Sequence, residues 1–159
     1  MAEKNLRYFF VREITPEVEA GIYDLGILCF NETQFQGSVE YAGDKLVPWA
    51  RSYIKNDDRV MIVAFDDSRM VGVFMGLNSP YYFSNDTIAR DVLWYVHKDY
   101  RSFGVGIELL SMFEQWAKDR GAKLVRIEQD SAILTPRFTS ILDKRGYTFI
   151  GTVHNMKVE

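Results

Sequence analysis

Two glycines stand where a predicted strand ends and a long predicted helix begins. The segment 96–107 reads VHKDYRSFGVGI, with Gly104 and Gly106 close to its end. Glycine lets the backbone approach an anion closely and adopt positive φ. The start of a helix adds unpaired N–H groups and the positive end of the helix dipole. The pattern favours a phosphate or pyrophosphate site; the alternative is that the glycines only permit a tight turn.

Two common phosphate motifs do not fit this segment. No Gly-Lys-Ser/Thr follows, so it is not a Walker loop. The third glycine of a dinucleotide-binding Gly-x-Gly-x-x-Gly falls on Leu109.

The same residues resemble a family signature. Residues 101–106 (RSFGVG), after 95–97 (YVH), resemble the Arg/Gln-x-x-Gly-x-Gly/Ala motif of the GCN5-related N-acetyltransferases, which follows a strand ending in Val-His-Pro. Residues 144–147 (KRGY) resemble the family's Lys-x-Gly-Phe, and the order of predicted elements matches over essentially the whole chain. The resemblance implies an acyltransferase that moves acetyl from acetyl-CoA to a primary amine by direct attack in a ternary complex.

The resemblance also implies how acetyl-CoA, the co-substrate, is held. Backbone N–H groups of the glycine loop would bind the pyrophosphate, and the fourth strand would pair with the pantetheine arm in a gap beside the fifth strand. An N–H near the end of that fourth strand would stabilise the oxyanion. Arg101 is either a phosphate contact or a solvated surface arginine. The implied cofactor-binding residues are Trp94, Tyr95, Val96, Arg101, Ser102, Phe103, Gly104, Val105, Gly106, Ile107 and Thr135.

The acid that many family members use is missing here. Their thiol-protonating tyrosine lies four residues before the glycine of the closing motif, and this sequence has Leu142 there. Thr135 and Phe138 replace the family's usual asparagine and alanine on the same helix. Tyr147 is near in sequence but belongs to the next predicted strand.

Three carboxylates are candidate general bases. Counting along the family pattern from the glycine loop leads to Arg90 on the fourth strand, with Asp91 beside it, and to Glu128 on the fifth, while counting back from Gly146 leads to Asp130. A carboxylate on a core-facing strand is costly unless it is paired or used. The expected order is Glu128, Asp91, Asp130; the alternative for each is a local charge pair at the sheet surface.

The acceptor pocket implied by the resemblance takes residues 30–41 and 80–83. Glu32, Glu40 and Asp44 in or near the first range would attract a cationic amine. The alternative is that each lies on a solvated face.

The elements that would position these residues form one α/β (α+β layered) domain over residues 1–159. The resemblance implies a mixed, mostly antiparallel sheet of about seven strands with about four helices, in the order β-α-α-β-β-β-α-β-α-β-β. Helix starts are predicted at Thr15-Pro16 and Thr135-Pro136, with cap and proline in their preferred positions. The predicted strands are 6–14, 60–65, 70–77, 88–96, 123–127, 147–150 and 152–158, and the other helices are 46–54 and 104–120.

Composition narrows the class of protein. The net charge of −3 gives no basic excess for nucleic acid. The single cysteine, Cys29, fits a reducing compartment. No apolar run approaches the roughly 20 residues that span a bilayer, and neither His97 nor His154 has metal-ligand spacing. We expect a cytoplasmic transferase without metal, a small-molecule or peptide amine as acceptor, no membrane or nucleic-acid partner, and, from the resemblance, a possible homodimer.

Three other functions fit the same sequence. One is a non-catalytic CoA-binding or interaction module, which Leu142 in place of the tyrosine favours. Another is a transferase of the same fold with another acyl donor or acceptor. The third is a protein that binds a different phosphate ligand through the same loop, without preference for CoA.

Overall fold

A computed structural model describes residues 4–128 and 136–158. These residues form five strands, four α-helices and two short 3-10 helices, at Gly43–Lys45 and Lys98–Phe103. In chain order the main elements are β1 (Leu6–Phe10), α1 (Pro16–Glu32), α2 (Leu46–Ile54), β2 (Arg59–Asp66), β3 (Arg69–Pro80), β4 (Thr87–Val96), α3 (Val105–Asp119), β5 (Leu124–Arg126) and α4 (Pro136–Lys144).

The strands form one mixed sheet in the order β1-β2-β3-β4-β5. The first three pairings are antiparallel, and β4 pairs with β5 in parallel. Side chains of β2 alternate between two cores: Ile62 packs on the α3 side and Val63 on the side of α1 and α2. Both faces of the sheet are therefore covered, which confirms the mixed α/β class.

The predicted helix boundaries rest on caps that the structure contains. Thr15 Oγ1 accepts a hydrogen bond from the Val18 N–H at 3.3 Å, and Pro16 is the first residue of α1. At the end of α3, Gly121 has φ 72°, a left-handed conformation that suits glycine. The helix that follows the glycine loop therefore begins and ends close to where the sequence predicts.

One glycine of β3 lets α3 lie unusually close to the sheet. A Cβ added to Gly76 would stand 2.3 Å from Cε2 of Phe113, which is fully buried on α3. Phe113 also stacks on Phe74, which like Gly76 belongs to β3, with ring centroids 4.4 Å apart. This packing fixes α3 on the sheet and so fixes its first turn beside the end of β4.

The end of the chain differs from its prediction. Residues 147–150 and 152–158 form no strands, so the described residues have five strands rather than seven. Tyr147 turns back instead, and its N–H bonds to the Leu142 carbonyl at 3.0 Å. Residues 148–158 are exposed throughout, and a hairpin without a buried apolar face is only marginally stable. The first strand is also shorter than predicted, ending at Phe10.

Across the described residues, no helix is both long enough and apolar enough to cross a membrane.

Candidate active site

The glycine loop has the geometry of an anion site. The 3-10 helix Lys98–Phe103 leads from β4 to Gly104, which has φ 77° and open space where a Cβ would lie. The helix α3 starts at the next residue. By helix geometry, the N–H groups of Val105, Gly106 and Ile107 have no partner within the helix. The loop therefore presents several donors to an anion at the positive end of α3.

A cavity of about 940 Å³ runs from this loop along β4 to the segment between α1 and α2. At the loop end its walls are Ser102, Gly104, Gly106 and Ile107. At the far end they are residues of α1, α2 and their connection, including Phe30, Phe35, Tyr41 and Trp49. Helix α4 adds Arg137, Phe138 and Ile141.

Most of the residues predicted to bind the cofactor line this cavity: Trp94, Tyr95, Val96, Arg101, Ser102, Gly104, Gly106 and Ile107. Two others lie in the loop but turn their side chains elsewhere. Val105 is fully buried in the core, and the Phe103 ring lies 6.2 Å from that of Tyr100. For these two, only the backbone N–H remains available to an anion. Thr135 lies outside the described residues.

Arg101 is partly exposed, but its guanidinium is bound by groups of the protein rather than free. Its Nη2 donates to Glu32 Oε2 at 2.6 Å, and its Nε donates to the Val96 carbonyl at 3.0 Å. The Tyr95 hydroxyl donates to the other oxygen, Glu32 Oε1, at 2.5 Å. These bonds tie the last turn of α1 to the glycine loop. The Val96 carbonyl, predicted to pair with pantetheine, already accepts a hydrogen bond.

The same contacts set the protonation states of Glu32 and Tyr95. Partial burial acts to raise the pKa of Glu32, but hydrogen bonds from Tyr95 and Arg101 outweigh it and leave that pKa below its usual range. Burial, followed by the bond to Glu32, raises the pKa of Tyr95 far above its usual value. Glu32 is thus a carboxylate and Tyr95 a protonated phenol near neutral pH, so Tyr95 is a poor proton donor.

The strands β4 and β5 separate beside the cavity. Their parallel pairing ends at Arg90 and Arg126. One residue further along β4, Asp91 Oδ1 accepts a hydrogen bond from the Glu128 N–H at 2.7 Å. The next residue, Val92, is an extra one in the β3–β4 register, which steps from Gly76↔Asp91 to Met75↔Leu93. A bulge of this kind bends its strand, and the gap implied by the family resemblance lies here.

Two of the three candidate bases meet at this gap. Asp91 is half-buried and Glu128 exposed, and both line the cavity. The sequence pointed to each of them separately, to Glu128 by counting from the glycine loop and to Asp91 as the neighbour of Arg90, and the structure joins them by a hydrogen bond. Asp130 lies outside the described residues.

No tyrosine stands where the family's acid would be. Leu142 is buried, and the Tyr147 hydroxyl donates to Glu114 Oε1 of α3 at 2.9 Å. Phe138 packs on Trp94, with ring centroids 4.7 Å apart, and forms part of the cavity wall.

Only one of the two segments predicted for the acceptor lines this cavity. Residues of the 30–41 range line the cavity, but none of the 80–83 range does. Tyr81, Tyr82 and Phe83 pack on one another instead, at the β3–β4 turn. Of the three predicted carboxylates, Glu40 lines the cavity and the other two, Glu32 and Asp44, do not.

Sequence reasoning missed part of the wall. Leu46 and Trp49 of α2 line the cavity beyond the predicted segment 30–41. Leu46 and Trp49 lie three residues apart at the start of the predicted second helix and so share one of its faces, which was the available sign.

A layered mixed sheet with a glycine loop at the start of α3 and a gap between β4 and β5 defines an acyltransferase fold. The model of the acetyltransferase (GNAT) family matches residues 21–134, and the chain belongs to this family. Members of the family are acetyltransferases that bind acetyl-CoA.

Solved structures share the fold at low sequence identity. A transcriptional regulator from Bacillus halodurans aligns with TM-score 0.75 and 17% identity, over 96% of this chain and 99% of that one. An aminoglycoside acetyltransferase from an uncultured soil metagenomic sample, in complex with sisomicin, aligns with TM-score 0.69 and 14% identity, over 97% and 95%. AAC(6')-Iy in complex with a CoA bisubstrate analogue aligns with TM-score 0.70 and 10% identity, over 98% and 99%. No curated protein sequence matches the chain.

Within residues 4–128 and 136–158, no three His, Cys, Asp or Glu side chains are grouped to hold a metal ion.

Proposed function

We propose that this chain is an N-acetyltransferase that moves an acetyl group from acetyl-CoA to a primary amine by direct attack within a ternary complex. The observation that carries the proposal is one continuous cavity. It joins the anion-binding start of α3 to the Asp91–Glu128 pair and then to the wall between α1 and α2.

The residues at the loop end fit the pyrophosphate of CoA. Gly104 has the left-handed conformation that turns the chain into α3, and no atom lies within 4 Å of the position its Cβ would take. At Gly106 a Cβ would stand 3.4 Å from Cζ2 of Trp94, in ordinary contact and on the cavity side. The N–H groups of residues 105–107 would bind the phosphate oxygens, as the dipole of α3 favours.

The β5-facing edge of β4 would hold the pantetheine arm and the reacting carbonyl. Past Arg90, no residue of β5 stands opposite this edge. Backbone groups of Trp94 and Tyr95 would pair with an added strand there, whereas the Val96 carbonyl already accepts a hydrogen bond from Arg101 Nε. One N–H near the end of β4 would stabilise developing negative charge on the carbonyl oxygen.

Glu128 would act as general base and Asp91 as a positioning residue. The Asp91 carboxylate already accepts a hydrogen bond from the Glu128 backbone through Oδ1, whereas Glu128 is exposed and lines the cavity. Bound acetyl-CoA supplies the thioester. Glu128 takes up the proton that the attacking amine loses and returns it to the leaving sulfur, so that an amide and free CoA result. Positioning of both reactants in one cavity contributes as well.

Calorimetric titration with acetyl-CoA tests the loop. A Gly104→Asp variant places a carboxylate where the pyrophosphate should bind, and Gly121→Asp is its matched control. Gly121 has φ 72° against 77° for Gly104, open space around its Cβ position, and a place at the opposite end of α3. We expect micromolar binding by the parent and the control, and none by Gly104→Asp. Absence of binding to the folded parent at millimolar acetyl-CoA would refute the proposal.

Release of free CoA, followed with a thiol reagent, separates an enzyme from a non-catalytic CoA-binding module. The module is favoured by Leu142 in place of the family's tyrosine. Binding without any acceptor-dependent CoA release, over a broad panel of primary amines, would favour the module.

A further inference from the structure

The charge on the cavity wall changes from one end to the other. The loop end carries the basic residues Lys98 and Arg101 beside the helix start. At the opposite end, between α1 and α2, the ionisable side chains with formal charge are Glu40 and Lys45, one of each sign. That end therefore offers no net negative charge to a cation.

The rest of that end is apolar and largely aromatic. Phe30 and Tyr41 pack together with ring centroids 5.2 Å apart, and Trp49 meets Tyr53 edge-on at 5.4 Å. Val92 and Leu93 of β4 form the opposite side of the wall. Rings packed in this way form a preordered surface for another ring.

Three apolar or aromatic side chains of the cavity wall between α1 and α2 are exposed rather than packed in the core. Phe35 is 41% exposed, Val39 57% and Tyr41 36%. Apolar surface left open inside a concave site, with few polar groups, is typical of a site for an apolar ligand.

The other two acidic residues of the cavity wall lie between its two ends. Asp91 on β4 and Glu128 just beyond β5 meet where the acetyl group would be presented. An amine placed there would have its apolar body against the aromatic wall.

We propose that the acceptor is a hydrophobic monoamine: one primary amine on an aromatic or branched apolar body, and not a polycation such as an aminoglycoside. The inference rests on the proposed acetyltransferase function and deepens it. A polycation would need several carboxylates to replace its water, and Glu40, opposed by Lys45, does not supply them. An apolar body would gain affinity by removing its own surface and that of Phe35 and Tyr41 from water.

The test compares acceptors on the full chain with saturating acetyl-CoA, using 2-phenylethylamine, ethylamine and sisomicin as probes. We expect kcat/KM for 2-phenylethylamine to exceed that for ethylamine by about 30-fold or more, as burial of a phenyl group predicts, and sisomicin to be the poorest. A peptide with an N-terminal phenylalanine is a fourth probe, because it presents a phenyl ring next to a primary amine on a larger molecule than 2-phenylethylamine.

A matched pair of variants locates the effect. Phe35→Ser should lower kcat/KM for 2-phenylethylamine about tenfold and leave the acetyl-CoA Kd unchanged, because Phe35 lies at the acceptor end. Phe83→Ser removes a 74% exposed ring at the β3–β4 turn, outside the cavity, and should change neither value.

Each other outcome overturns a distinct claim. Preference for sisomicin or for the peptide, with normal acetyl-CoA binding and turnover, overturns the monoamine inference and leaves the transferase intact. Equal kcat/KM for ethylamine and 2-phenylethylamine would likewise overturn the monoamine inference and leave the transferase intact. Failure to bind acetyl-CoA overturns the proposed function, and the acceptor inference falls with it.

Discussion

Arg101 Nη2 lies 2.6 Å from Glu32 Oε2, which joins the end of α1 to the loop before α3. The two residues are 69 positions apart in the chain. The pair spans the two regions that the proposed function assigns to acceptor and cofactor. Arg101 also donates to the Val96 carbonyl, so its cation is held by the protein itself.

We predict that Arg101→Gln weakens acetyl-CoA binding by less than about tenfold, or ~1.4 kcal/mol. The backbone N–H groups at the start of α3 remain in place, and the arginine mainly orders the loop. The same variant should lower the free energy of unfolding by about 1 kcal/mol, a value reduced for partial exposure of the pair. Calorimetry and urea denaturation measure the two effects.

Arg51→Gln serves as its control. Arg51 pairs with Glu19 at 3.5 Å on a more exposed surface, away from the cavity. It should change neither acetyl-CoA affinity nor stability appreciably. If Arg101→Gln abolished binding as completely as Gly104→Asp, the arginine would be a direct phosphate ligand.

We predict that Glu128→Gln and Asp91→Asn act differently on turnover. Glu128→Gln removes the general base and should lower kcat about 100-fold, within the usual range for general-base catalysis. Asn at position 91 keeps an oxygen for the Glu128 N–H and should cost less than about tenfold, whereas Asp91→Ala should cost more because it loses that bond. Steady-state kinetics with saturating acetyl-CoA measures all three.

Acetyl-CoA affinity should be unchanged in these variants, since neither residue belongs to the glycine loop. Asp119→Asn, at the far end of α3, is the control for removing a surface carboxylate. A larger loss from Asp91→Asn than from Glu128→Gln would reverse the assigned roles.

Local features of the sequence were enough to predict most of the helices and strands. Thr15-Pro16 marks a helix start because cap and proline act within one turn, and the structure has α1 beginning there. The span 46–54 was predicted for the second helix, and α2 is Leu46–Ile54. The glycine loop was found because its residues are contiguous.

The connections across the site were not predictable in the same way. Asp91 and Glu128 are 37 residues apart, and their hydrogen bond depends on where β5 stops pairing with β4. The bulge at Val92 shifts the register by one residue and leaves no distinctive residue type. The sequence predicts two strands at the chain end, but pairing also needs an available edge and a covered face, which the sequence of a single segment does not contain.

We predict that Gly76→Ala lowers the free energy of unfolding by about 1–3 kcal/mol, the usual cost of overpacking a core. The added methyl would meet Phe113 Cε2 at 2.3 Å, and that ring is fully buried. Gly151→Ala is the matched control, since it is exposed and no atom lies within 4 Å of its Cβ position. Urea denaturation measures both. A change below 0.5 kcal/mol for Gly76→Ala, roughly that of a surface substitution, would show that α3 can shift away from the sheet at little cost.

The buried His97 makes stability depend on pH. Its Nε2 lies 3.0 Å from Arg69 Nη2, and its Nδ1 lies 3.3 Å from the Asp99 N–H nitrogen at the start of the 3-10 helix. Burial first, and then the Arg69 charge, hold the pKa of His97 below its usual value, although Asp99 acts in the opposite direction. The folded state thus binds this proton less readily than the unfolded state does.

We predict that the free energy of unfolding falls as pH is lowered through about 6.5, the ordinary histidine pKa. Below that value the unfolded chain takes up a proton that folded His97 resists, so stability is lost until pH reaches the lower folded pKa. His97→Asn keeps a capping oxygen for the Asp99 N–H and removes the titration, so its stability should vary less between pH 7.5 and about 5. Urea denaturation across this range compares it with His154→Asn, which replaces an exposed histidine and should retain the parent's slope. A parent whose stability rose on acidification would mean that Asp99 dominates and that folded His97 is the stronger base.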